Sequence, residues 1–175
     1  MTLREGELSM KRSTRILLLC VLMIVVTGML AGCYVIGEPG IDVAEKHLQH
    51  DKEDLETMVE WLLNTTYQDH VYFSRRDDDM FRDFEHLPIP EEISATAERL
   101  LHKNSYQNIG MTKEHNTIVF EYWSSIHDQS CGLAYVMDGD GQPDVQYMIQ
   151  CEPLLESGWY YYYTDFNEWR VLNMK

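Results

Sequence analysis

Few side chains in this 175-residue chain are of types and spacings that do chemistry. His47, His50, Asp51 and Asp54 would share one face of a helix, and two histidines three positions apart can ligate zinc. Nothing in the sequence supplies the rest of a shell and no H-E-x-x-H is present, so the group reads as a solvated helix face and no metal is expected. The stretch DGDGQPD, Asp138 to Asp144, places carboxylates at nearly alternate positions but fails the calcium-loop spacing, because Gln142 precedes Pro143 and Pro153 and Leu154 stand where a distal ligand is sought. It reads as a polar hairpin turn. Cys131 lies in an apolar strand rather than at a helix start or loop that would activate a thiolate. Neither G-x-S-x-G, G-x-G-x-x-G nor a Walker loop occurs, so no catalytic residue and no cofactor are assigned. What remains is aromatic: GWYYYYTDFNEW, residues 158 to 169, crowds seven aromatic side chains into twelve positions.

The elements that must position these residues follow from periodicity. From Ile41 to Asn64, Leu48, Leu55, Met58, Val59, Leu62 and Leu63 recur at helical spacings. A second helix starts with Pro90 at its first position, has Glu91 and Glu92 at its positive end, carries Ile93, Ala97, Leu100 and Leu101, and stops near Asn104. The mixed stretch between them allows a short strand or a helical turn. After Asn104 the period becomes two, predicting strands at Tyr106 to Met111, Thr117 to Ser124, Cys131 to Met137, Val145 to Cys151 and Trp159 to Thr164. Short turns force antiparallel pairing. The expected fold is α+β: two helices packed on one face of an antiparallel meander of four to five strands.

Pairing across DGDGQPD would set Met137 opposite Val145, Tyr135 opposite Tyr147, Leu133 opposite Ile149 and Cys131 opposite Cys151, all on the face toward the helices. An exported chain would then allow a Cys131–Cys151 disulfide, with two reduced core thiols as the alternative. In the last strand Trp159, Tyr161 and Tyr163 are expected in the core, the Trp removing the most apolar area from water. Tyr160 and Tyr162, joined by Trp123, would form an aromatic binding patch on the wetter face. Packing on both faces is the alternative.

The first 32 residues have a different character. Lys11, Arg12 and Arg15 precede an uncharged stretch from Ile16 to Gly32, the layout of a secretory signal, and Met10 is a possible start. A retained signal anchor is the alternative, but Thr27, Gly28 and Gly32 leave the apolar run short of the ~20 residues that span a bilayer. Leu30-Ala31-Gly32-Cys33 resembles the lipobox of bacterial lipoproteins. The resemblance implies cleavage after Gly32, a diacylglyceryl thioether on Cys33 and, in many bacteria, acylation of the new amino terminus. Residues 1–32 are then a lipoprotein signal peptide, 33–40 a lipidated tether broken by Gly37, Pro39 and Gly40, and 41–175 a single domain. The carboxy-terminal half, with LPIPEEISATAERLL, GLAYVMDGDGQPD and GWYYYYTDFNEW, is similar to small uncharacterised lipoproteins of Gram-positive bacteria, a likeness that implies export and no particular activity.

Charge bounds the partners. The chain has 14 Lys and Arg against 29 Asp and Glu, net −15. Loss of residues 1–32 removes four basic residues (Arg4, Lys11, Arg12, Arg15) and two acidic ones (Glu5, Glu7), leaving 10 basic and 27 acidic, net −17. Such a surface repels nucleic acid and is not drawn to anionic lipid, so membrane attachment falls to the lipid on Cys33. The expected function is a lipid-anchored extracytoplasmic module that binds a protein or carbohydrate partner at the outer face of the cell membrane. A small extracytoplasmic enzyme, or an accessory to one, acting on wall or carbohydrate material is the alternative.

Overall fold

The computed structural model describes residues 39–65, 70–75, 89–112, 116–125, 128–139 and 141–174. Its order is α1 (Ile41–His50), α2 (Lys52–Asn64), β1 (His70–Ser74), α3 (Glu91–Glu98) running into a π turn (Arg99–Lys103), β2 (Asn108–Thr112), β3 (Thr117–Ser124), β4 (Gln129–Val136), β5 (Met148–Pro153), β6 (Trp159–Asp165) and α4 (Phe166–Asn173). The fold is α+β, with four helices and one antiparallel sheet of six strands among the described residues. No helix among them is long and apolar enough to cross a membrane. Cys33, the signal segment and most of the tether lie outside the described residues.

The helical pattern of residues 41–64 is realised as two helices, not one. The break falls at Asp51 (φ −105°, ψ 11°), which caps α1 with its N–H on the His47 carbonyl and starts α2 with its own carbonyl accepting from Leu55. No glycine or proline marks it. The apolar stripe nevertheless survives: Leu48, Leu55, Met58, Val59 and Leu62 are all buried, joined by Ala44. In α3, Pro90 sits one position earlier than expected, at the cap, while Ile93, Ala97, Leu100 and Leu101 enter the core as the spacing predicted. The π turn ends with the Asn104 N–H on the Arg99 carbonyl, which aims Asn104 back at the α1–α2 break.

The sheet order is β1-β2-β3-β4-β6-β5. β2, β3 and β4 form the expected meander and β1 adds a further strand at the edge beside β2, but β5 crosses beyond β6, and β6 fills the place beside β4 that the hairpin register had given to β5. Leu133 therefore faces Tyr161, Tyr135 faces Trp159 and Cys131 faces Tyr163. That gain in aromatic burial against β4 is the physical reason to prefer this order, since Ile149 and Tyr147 offer less apolar area at the same places. Freed from a tight hairpin, residues 141–147 cross the sheet's second face: the Asp144 N–H donates to Thr117 Oγ1 (2.9 Å) and the Tyr160 hydroxyl donates to the Gly141 carbonyl (2.7 Å). Ala134 and Val136 are buried there, so that face is drier than the alternation implied.

Close approach of two strands is written into Gly132. A Cβ at this position would lie 2.2 Å from the Phe120 carbonyl oxygen and 2.9 Å from Glu121 Cα. The crowding accompanies a bulge in β3 between Glu121 and Trp123, where Tyr122 is the extra residue, so that Trp123 pairs with Cys131 on the core face that Tyr122 also enters. Asp165 accepts the Glu168 N–H (2.9 Å) at the start of α4, a helix the sequence reading did not foresee.

Candidate functional site

The cysteines are not bonded to each other. Cys131 pairs with Tyr163 and Cys151 with Tyr162, so β6 lies between them and neighbouring positions on β6 put them on opposite faces. Two strand spacings, about 10 Å, exceed the ~7 Å Cα separation a disulfide can bridge. The expected register and bond are thus corrected together. The buried Cys131 Sγ instead donates to the Pro39 carbonyl (3.7 Å), and burial pushes the Cys151 thiol up, with Glu152 adding to the shift.

The three aromatics of the expected patch are not brought together. Trp159, Tyr161 and Tyr163 are buried as predicted, yet Tyr162 is only 2% exposed, standing between Gly132 and Cys151, and burial raises its phenol well above the ordinary value. Trp123 packs against the core because the β3 bulge cancels the alternation that would have sent it to the other face. Trp123 and Tyr160 are both half-buried, but Tyr160 lies on the second face, its hydroxyl donating to the Gly141 carbonyl.

At the α1–α2 break, Asp51 is 3% exposed, which corrects the solvated-face reading. Its carboxylate accepts from Asn104 Nδ2 (2.8 Å) and faces His47 Nδ1 (3.4 Å) and His50 Nε2 (3.9 Å). The His47 ring stacks on Tyr122 (4.5 Å between centroids, 15°) and meets Tyr106 edge-on. The hydroxyls of Tyr106 and Tyr122 are buried without a hydrogen-bond partner among the described residues. Burial pushes both phenols far up, with Asp51 adding to Tyr106 and Cys131 to Tyr122. Outside this cluster Arg99 grips Asp54 (Nη2 to Oδ1, 2.7 Å) over a shallow polar hollow of about 320 Å³. Among the described residues no group of three or more His, Cys, Asp or Glu is arranged to hold a metal ion.

A second cleft, of about 370 Å³, opens between α2 and the β5–β6 turn and combines rings with carboxylates. Tyr135 and Trp159 form its floor, their rings edge-to-face at 5.2 Å. Glu56 and Glu60 descend from consecutive turns of α2, and Glu156 and Ser157 come from the turn opposite. Leu63, expected on the apolar stripe, is 41% exposed and lies on this rim with Asn64. Gly158 (φ +81°) lets the turn pass under the Tyr135 ring, where a Cβ would meet Tyr135 Cε2 at 3.1 Å. Lys52 reaches in from the rim: Nζ lies 2.8 Å from Glu156 Oε1 and 3.7 Å from Glu56 Oε1, and the Glu156 hydrogen bond raises its pKa. The sequence reading missed this cleft. Glu56 and Glu60 at i, i+4 were a visible signal, but only the β4–β6 pairing sets Tyr135 and Trp159 beside them.

Comparison with family models, curated proteins and solved structures finds no match to the chain.

Proposed function

We propose that this chain is a lipid-anchored module on the outer face of a bacterial cytoplasmic membrane, and that it binds its partner in the cleft between α2 and the β5–β6 turn. The cleft is the observation that carries the reading, since it combines a concave shape, an aromatic floor and convergent polar groups, which are the ordinary ingredients of a binding site. The anchoring half rests on Leu30-Ala31-Gly32-Cys33 at the end of an exportable segment.

Each half has its own test. Cys33→Ala should leave the chain unprocessed and without lipid, read by mass spectrometry of the membrane fraction; an unmodified Cys33 in the native chain, or a mature terminus elsewhere, overturns the anchor. For the cleft, the full-length chain in detergent is titrated with small amines, neutral glycosides and short peptides. Binders should be lost in Tyr135→Leu, a change that keeps apolar bulk over Gly158 while removing the ring. Binding that survives this substitution with its affinity intact places the site elsewhere.

A further inference from the structure

Resting on the cleft reading above, we propose that the ligand group it takes is an organic ammonium, carried by a small amine or by a lysine side chain. The half-buried Tyr135, backed by the buried Trp159, supplies aromatic surface, and a cation is held by the negative face of such a ring within about 6 Å of its centroid. Three carboxylates, Glu56, Glu60 and Glu156, line the same space from two sides, against the single cation of Lys52 at the rim. The site also displays the recognition in miniature: the Lys52 ammonium, arriving from the rim, is seated between Glu156 and Glu56. An incoming ammonium would contend for those carboxylates with Lys52, its internal competitor. Neutral sugars would use the rings but bring no countercharge to the three carboxylates beyond the one Lys52 already supplies. Anions are repelled by the lining and by the net −15 charge of the chain.

The competitor gives the proposal a signature with opposite signs. Full-length chain in detergent is titrated calorimetrically at low salt with n-butylammonium, with acetyl-lysine amide, with n-butanol as a neutral shape control and with a methyl glycoside. Both ammonium probes should bind and n-butanol should not. Glu56→Gln and Glu156→Gln should each weaken binding about threefold, in keeping with exposed charge pairs, and Lys52→Gln should tighten it by a similar factor. All three positions are solvent-accessible, so the variants should keep the parent melting temperature. Raising the salt to about 0.15 M should weaken the ammonium probes. Tighter binding of butylammonium assigns a small amine, and tighter binding of acetyl-lysine amide assigns a lysine side chain. Glycoside binding that is abolished by Tyr135→Leu, without ammonium binding, overturns the ammonium assignment and leaves the binding cleft standing. Silence from every probe overturns both. Weaker binding in Lys52→Gln also overturns the assignment, because it would make Lys52 a ligand contact rather than a competitor.

Discussion

Tyr106 and Tyr122 carry their hydroxyls into the core and leave them there without a hydrogen-bond partner among the described residues. An unsatisfied buried hydroxyl costs stability, whereas the ring beneath it contributes apolar burial. Tyr106→Phe and Tyr122→Phe should therefore be neutral or slightly stabilising, within about 0.5 kcal/mol of the parent in denaturant unfolding, while Tyr106→Ala should cost roughly 3 to 5 kcal/mol. A loss above about 1.5 kcal/mol in either Phe variant would show that the hydroxyl is bonded, Asp51 being the polar neighbour of Tyr106 and Cys131 that of Tyr122. Asp51 is the opposite case. Its carboxylate is buried yet satisfied by Asn104 and flanked by His47, and nothing in the local sequence distinguishes it from the half-buried Asp54 nearby. A carboxylate in an otherwise helical stretch reads as solvated until the partner that dries it is known, and Asn104 lies 53 positions away.

At the scale of elements, β4 is the strand on which the sheet depends, paired with β3 on one side and β6 on the other. Gly132 permits the β3 bulge by offering no Cβ to the Phe120 carbonyl. Gly132→Ala should destabilise the fold by about 3 kcal/mol, because the clash is with backbone and cannot be relieved by a rotamer change. A melting temperature within two degrees of the parent, roughly half a kcal/mol at this size, would mean that the strands separate more easily than the register implies. The strand pattern placed β3 at its observed bounds and β6 to within one residue, and the helix stripes were legible because their burial repeats at 3.6. The π turn, the α1–α2 break and α4 were not, since each is decided by hydrogen bonds to residues distant in sequence or by a single cap. The aromatic patch failed for a related reason: one extra residue at the bulge reverses every side-chain direction beyond it, and Trp123 lies beyond it.

For the molecule as a whole, the buried phenols set its alkaline limit. Tyr106, Tyr122 and Tyr162 keep their protons in the fold well above the value of about 10 at which tyrosines of an unfolded chain ionise. Above that pH the unfolded state holds fewer protons than the folded one, so stability is complete below about pH 10 and falls as pH rises further. Phenolate absorbance should climb in two stages, exposed tyrosines first and the buried ones, these three among them, together with the loss of near-ultraviolet circular dichroism. A single smooth titration near pH 10 with the fold intact would refute their burial. The same transition reports on the core at both sheet faces, because Tyr106 and Tyr122 lie beneath the helices and Tyr162 lies on the other side.

The sequence alone determined the α+β class, the helix stripes, most strand positions, the acidic charge and the expectation of a lipid on Cys33. These depend on composition and on neighbours within a few positions, where periodicity and charge act directly. Tertiary structure alone decided that β6 rather than β5 lies beside β4, that Cys131 and Cys151 are kept apart, that Asp51 is dry, and that Tyr135, Trp159, Glu56, Glu60 and Glu156 converge on one cleft. The reason is energetic. A hairpin joining β4 to β5 has the lower loop-closure entropy, and local pattern favours it, but the larger apolar area of Trp159, Tyr161 and Tyr163 against β4 outweighs that advantage only once all strands compete for the same place.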